Sequence, residues 1–140
     1  ESRWKFYSEA IAKKKSLEPL ARIVTSAVTG CPPNMMGIGP ISSTQKALER
    51  SGWHINDIDV FEINEAFSSQ SIAVINELSI DYQKVNIDGG AISIGHPLGA
   101  SGARIVGKAA SILNRTNSER AIATMCIGGG MGITIVLESP

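Results

Sequence analysis

The chain has little of what marks a special environment. Its only thiols among 140 residues are Cys31 and Cys126, with no C-x-x-C pair, His-rich tract or secretory signal around them. That speaks against a disulfide framework or a structural metal and fits a reducing, intracellular setting. Charge is scarce as well: Asp, Glu, Lys and Arg make up 19% of the chain, below the roughly 25% of ordinary soluble domains. Thirteen basic residues cancel thirteen acidic ones, so no net field gathers nucleic acid or an anionic membrane. Apolar runs are short, as at Ile133 to Leu137, far below the ~20 residues that cross a bilayer. The closing Glu138-Ser139-Pro140 is not a peroxisomal tripeptide. Repeats and low-complexity tracts are absent. The glycines spell neither G-x-G-x-x-G nor G-x-x-x-x-G-K-[ST] between a strand and a helix, which removes most of the weight from nucleotide folds of those kinds.

What is present reads as one α/β domain, since helices alternate with strands and a hairpin closes the chain. Residues 7–15 predict a short helix ending in Lys13-Lys14-Lys15, a solvated end, followed by an extended segment over 20–28. Cys31 to Pro40, rich in Pro and Gly, predicts a loop, and a helix follows over 42–51, stopped by Gly52. Ile58, Val60, Phe61 and Ile63 form an apolar run suited to a buried strand. A helix over 65–78 with Asn64 as its N-cap comes next, then a short extended piece over 85–87. Gly89 to Gly99 predicts a turn leading into a helix over 100–113 dense in Gly, Ala and Ser, whose small residues let another element approach closely. Two last strands, over 121–127 and 133–137, are joined by a glycine-rich connection short enough for a hairpin. The low charge and a mean hydropathy of +0.07 hint that part of the surface is covered by a partner.

Three polar side chains fall at strand ends or in the glycine turns: Asn64, His96 and Cys126. Their types suit acyl transfer. A histidine can activate a thiol and donate to an oxyanion, a cysteine can move a proton beside a thioester carbonyl, and an amide can fix a water. Taken singly, each also has a plain structural explanation: a helix cap, a turn residue and a small buried hydrophobe. His54 and Cys31 lie in or beside polar loops, where exposure is expected, and receive no role.

The longer motifs decide between these explanations. Asn64-Glu65-Ala66-Phe67, the run from Gly89-Gly90-Ala91 through Gly95-His96-Pro97-Leu98-Gly99-Ala100-Ser101-Gly102-Ala103-Arg104, and Cys126-Ile127-Gly128-Gly129-Gly130-Met131-Gly132 occur in that order. Together they resemble the signatures of the thiolase family. The likeness runs from about Glu9 to the end, through Leu20-Ala21-Arg22-Ile23 and Met36-Gly37-Ile38-Gly39-Pro40. It divides the chain into a divergent segment, 1–8, where Arg3-Trp4-Lys5-Phe6-Tyr7 replaces a Gly- and Ala-rich stretch, and a thiolase C-terminal domain, 9–140.

The resemblance implies a thiolase-like fold, of which this is the C-terminal half: a mixed sheet with helices on both faces, its small-residue helix packed centrally against the other half. It implies that His96 activates a nucleophilic cysteine and, with a water held by Asn64, forms one oxyanion hole. Cys126 is then acid and base at the substrate α-carbon, and the Gly128 backbone N–H lines a second hole. Met36 and Phe67 match positions lining the acyl and pantetheine pocket, with ordinary core packing as the other explanation. No metal or bound cofactor is implied; coenzyme A thioesters are the substrate. The acyl-accepting cysteine belongs to the N-terminal half, so the expected partners are that half and, for the complete enzyme, further copies of itself, with neither nucleic acid nor membrane. Asn64 within Asn-Glu-Ala-Phe separates the chain from relatives with a histidine there, such as ketoacyl synthases. The expected reaction is Claisen condensation of two acetyl-CoA or its thiolytic reverse. The alternatives are a degradative 3-ketoacyl-CoA thiolase and a non-catalytic truncated isoform acting as a binding module. The expected compartment is the cytoplasm, or the mitochondrion if an N-terminal signal is missing.

Overall fold

The computed structural model describes residues 5–140, so the first four residues of the divergent segment lie outside the described residues. Helix α1 (Glu9–Lys14) opens the domain, with the Ser8 hydroxyl accepting from the Ile11 N–H and an exposed Glu9–Lys13 ion pair one turn apart. It buries no side chain. Strand β1 (Arg22–Gly30) follows, and helix α2 (Gly39–Ser51) then packs on it. The predicted loop ends two residues early: Gly39 and Pro40 already belong to α2, where the missing proline N–H costs nothing in a first helical turn. Gly52 ends α2 as expected, at φ 72° with its N–H on the Glu49 and Leu48 carbonyls.

Strand β2 (Val60–Ile63), helix α3 (Ser68–Glu77), the single-turn helix α4 (Ala91–Ile94), helix α5 (Ser101–Thr116), β3 (Arg120–Ile127) and β4 (Met131–Glu138) complete the chain. The sheet order is β1-β4-β3-β2. The hairpin pairs β3 with β4 antiparallel, β1 joins β4 antiparallel, and β2 lies parallel to β3, so the sheet is mixed. Alternation along each strand builds two cores. Phe61, Ile63, Ile122 and Val136 face α2 and α3. Val60, Ala121, Ala123 and Leu137 face α5, which contributes Ile105, Ala109, Ile112 and Leu113. Each large aliphatic buried this way contributes about 1.5–3 kcal/mol. The expected α/β domain with helices on both faces is the observed one.

Three details differ from the expected pattern. Helix α3 begins at Ser68 rather than Glu65, with Phe67 at the cap position, so Asn64 is not an N-cap. Instead the Asn64 N–H continues the sheet ladder to the Thr124 carbonyl at 2.9 Å. In place of an extended 85–87, Val85 makes one bridge to Phe61, and the Asn86 side chain finishes the edge of β2. Its Oδ1 accepts from the Ile63 N–H and its Nδ2 donates to the Ile63 carbonyl, each at 2.9 Å. Inside the glycine turn, 91–94 coil into α4.

The two faces of the hairpin are fastened differently. Toward α5 the contact is hydrocarbon. Toward α2 it is a buried hydroxyl cluster: Thr134 Oγ1 meets Ser43 Oγ and Thr124 Oγ1, each at 2.7 Å, and Thr44 Oγ1 at 3.1 Å. At its open end α2 touches β4 backbone to backbone. A methyl group on Gly132 would lie 2.1 Å from the Gly39 carbonyl carbon, and one on Gly39 would lie 2.5 Å from the Gly132 nitrogen. Gly132→Ala is therefore expected to lower unfolding stability by about 1–3 kcal/mol. Gly30→Ala, where nothing lies within 4 Å, should stay within about 0.5 kcal/mol. Urea titrations of the two variants check this, and equal midpoints contradict it.

Candidate functional site

The candidate residues gather at the end of the sheet where the parallel strands β2 and β3 finish, the edge at which such sheets present functional groups. Cys126, near the end of β3, pairs with Gly132 in register. The thiol opens into a groove of about 330 Å³ that Met36, Ile38, Phe67 and Gln70 also line. Met36 is 57% exposed and Phe67 63% exposed, which rules out ordinary core packing for both. Burial pushes the Cys126 thiol above its ordinary value, partly offset by a backbone hydrogen bond, while the neighbouring Cys31 adds a small rise. Cys31 is half-buried, against the expected exposure, because its N–H bonds the Gly130 carbonyl at 2.7 Å and its thiol faces the Met35 carbonyl at 3.6 Å. His54 is exposed as expected. Gly128 is exposed in the hairpin turn beside Cys126.

His96 rides on the turn between α4 and α5, and three side chains of α5 hold the stretch from Gly89 to His96. Lys108 Nζ donates to the Gly89 carbonyl, Arg104 Nη1 donates to the Gly95 carbonyl at 2.9 Å, and Ser101 Oγ lies 2.6 Å from His96 Nδ1. Ser101 is fully buried. Its hydroxyl also lies 3.1 Å from the Pro97 carbonyl, which can only accept. If the hydroxyl gives its single proton to that carbonyl, it accepts from Nδ1–H, which puts the His96 proton on Nδ1 and leaves the Nε2 lone pair free. A free Nε2 is what a general base needs.

Asn64 sits on the other side of the sheet edge, toward α5, with only 1% of its surface exposed and neither amide atom hydrogen-bonded. Its neighbour Glu65 ties the two motifs together. One carboxylate oxygen accepts from Asn86 Nδ2 at 2.7 Å and the other from the Ile92 N–H at 2.9 Å. A methyl group on Gly90 would fall 2.3 Å from the carboxylate carbon, so any larger residue there would push the Glu65 carboxylate out of this position. Cys126, Met36 and Phe67 thus share one groove, while His96 is held by α5 and Asn64 lines a separate space beside α5 and the glycine turn. No direct hydrogen bond joins His96, Asn64 and Cys126. Ile92, Ile94 and Leu98 stand 64%, 54% and 80% exposed beside His96. No large apolar side chain of α5 is comparably exposed.

Sequence reasoning missed Ser101, Glu65 and Asn86. The first two stand inside the quoted motifs, Ser101 five positions after His96, a spacing that carries a side chain from a turn into the first turn of the next helix. For Asn86 no sequence signal was present. Among the described residues no group of three or more His, Cys, Asp or Glu is placed to hold a metal ion, and no helix is long and apolar enough to cross a membrane.

Residues 17–139 match the C-terminal domain of thiolases. The chain belongs to the thiolase family. It is 50% identical over 132 residues to an acetyl-CoA acetyltransferase of Shinella zoogloeoides, covering 94% of this chain and 34% of that protein. A cytosolic acetyl-CoA acetyltransferase of Mus musculus is 48% identical over 127 residues, covering 91% of this chain and 32% of that protein. Among solved structures, human mitochondrial 3-ketoacyl-CoA thiolase in complex with CoA superposes with a TM-score of 0.93 at 45% identity, covering 95% of this chain and 34% of that one. The chain therefore spans about a third of the length of these relatives, and its fold is that of the C-terminal part of a thiolase.

The His96 tautomer is open to direct measurement. Nitrogen-15 NMR should show the proton of the neutral imidazole on Nδ1. In Ser101→Ala that preference should relax toward Nε2–H. A wild-type ring protonated on Nε2 would contradict the assigned hydrogen bond.

Proposed function

We propose that this chain supplies the C-terminal part of a thiolase active site, which transfers acyl groups between coenzyme A thioesters. The favoured reaction is that of an acetyl-CoA acetyltransferase, joining two acetyl-CoA into acetoacetyl-CoA and CoA, or its thiolytic reverse. The observation that carries this reading is the half-buried Cys126 thiol, held above its ordinary range in the groove that Met36 and Phe67 also line. A raised thiol is neutral at rest and, once deprotonated, is a stronger base than an ordinary thiolate. That suits proton transfer at a carbon next to a thioester carbonyl.

The residues then divide the work. In the first half-reaction His96 Nε2 takes the proton of a cysteine thiol contributed by the N-terminal half. The resulting thiolate attacks the thioester carbonyl of the first acetyl-CoA, and CoA departs as its thiol with the proton returned. In the second, Cys126, as the thiolate formed once its own proton has passed to solvent, removes an α-proton from another acetyl-CoA. The carbanion attacks the acyl-enzyme carbonyl, and the nucleophile leaves as a thiolate that takes a proton back from solvent. His96 and a water held by Asn64 stabilise one developing oxyanion, and the Gly128 N–H donates to the other. Met36 and Phe67 bound the acyl and pantetheine path.

This assignment needs the N-terminal half as partner, with the complete enzyme a homo-oligomer. The likeness to a cytosolic relative in mouse supports the cytoplasm as its compartment. A degradative thiolase acting on longer chains is the second reading, supported by the likeness to a 3-ketoacyl-CoA thiolase. A chain-length profile of the complete enzyme separates the two.

Two measurements test the assignment. The purified 140-residue chain should not thiolyse acetoacetyl-CoA. Turnover near the usual enzymatic ~10 per second would mean that the nucleophile lies within it. In the complete enzyme, replacing His96 should impair both acetylation of the nucleophile and condensation. Cys126→Ser should still acetylate but lose roughly 10²- to 10⁴-fold in condensation and in α-proton exchange with deuterated solvent. Mass spectrometry of the acyl-enzyme beside NMR of α-proton exchange reads the two steps. Equal losses in both for Cys126→Ser would overturn the division.

A further inference from the structure

Glu62 takes no part in the steps above, yet it is a carboxyl in the middle of β2 with 2% of its side chain exposed. Its strand neighbours Val60, Phe61 and Ile63 are all core. Glu62 and Asn64, two residues apart, project to the same side, toward α5. Both line a largely enclosed cavity together with Gly89, Gly90, Arg104 and Lys108. The Lys108 ammonium lies 3.8 Å from Glu62 Oε1, beyond hydrogen-bond length, and donates to the Gly89 carbonyl instead. Glu62 Oε1 and both amide atoms of Asn64 are thus buried without a hydrogen-bond partner in the protein.

Orphaned buried polar atoms of this kind call for a ligand or a role. Here three of them belong to two side chains that line one space. That space offers about 10 Å³ to the centre of a water molecule, room for one. The Glu62 carboxyl and the Asn64 amide supply the two or more polar partners that a buried water requires.

We propose that Glu62 is a positioning residue for Asn64, acting through one water molecule seated in the cavity that the two side chains share. The charged groups around the carboxyl are Lys108 and Arg104 of α5 and, in the turns beside β2, Asp88 and Glu65. Burial dominates over the attraction of Lys108, and the carboxyl is pushed up to about 7. Below that pH Glu62 is neutral and has a proton to donate to the water. Above it the anion only accepts, so the water reverses its hydrogen bonds and the Asn64 amide must answer. The consequence for turnover, though not the water link itself, rests on the thiolase reading.

The test has two arms. In the first, the side-chain amide signals of labelled Asn64 are followed by NMR in this chain. They should titrate with a midpoint near 7 and become flat in Glu62→Gln, which keeps the shape and polarity but cannot ionise. Flat wild-type signals, or a high-resolution crystal structure with the cavity dry, overturn the proposal whatever the chain catalyses. In the second, Glu62→Leu in the complete enzyme should lower kcat roughly 10- to 100-fold with KM little changed. Glu62→Gln should lose less and lack the wild-type change in kcat near neutral pH. A thiolase-active enzyme in which Glu62→Leu and the pH profile are both indistinguishable from wild type also overturns it. If the complete enzyme shows no thiolase activity, the reading of function fails while the first arm still decides the water link.

Discussion

The contact between Gly39 and Gly132 sets the position of the cysteine groove at the working end of the molecule. Two backbones meet there with no room for a single methyl group on either side. The contact pins the start of α2 to β4, and with it the loop that carries Met36. Gly132 is also the register partner of Cys126, so the residue that admits α2 stands directly beside the cysteine on the neighbouring strand. The hydroxyl cluster of Ser43, Thr44, Thr124 and Thr134 continues this fastening inward. Hydroxyls hold direction as well as distance. A purely apolar interface of the same area would leave α2 freer to slide along the hairpin.

A second constraint governs the histidine. The glycine turn has almost no buried apolar anchor of its own, Ala91 being the exception. It is held mostly by polar attachments from α5, from Ser101, Arg104 and Lys108, and by the Glu65 carboxylate. Each satisfies a main-chain or ring atom that would otherwise lack a partner, and together they hold the Gly89–Gly95 stretch from both ends. The two parts of the candidate site thus have separate mechanical supports, α2 for the cysteine groove and α5 for the histidine.

Much of this was legible from residue order, and the exceptions share a cause. Strands β2 to β4, the α2 stop at Gly52 and the hairpin follow from local patterning, because alternation and glycine are local signals. The start of α3 was misjudged since Asn64 looks like a cap from its neighbours alone. Its real partner is Thr124 on a distant strand, and the Glu65 carboxylate is drawn away to Asn86 and Ile92. The motifs located His96 and Cys126 without saying what orients them. Ser101 lay within the motif but carried no sign of facing the imidazole. Glu62 gave no signal, because a carboxyl inside an apolar strand reads as a break in pattern until its burial is seen.

The mixed sheet has a consequence for the order in which the domain assembles. Strands β3 and β4 are adjacent in sequence, so their pairing closes a short loop and needs no other element. The β2–β3 pairing is parallel and must wait until α3, the glycine turn and α5 have been threaded between them. The ladder bond from Asn64 to Thr124 lies at the far end of that pairing. The cysteine strand is therefore laid down by local contacts. The asparagine reaches its place only through a pairing that spans α3, the glycine turn and α5, so a finished working edge requires elements far apart in sequence to have come together.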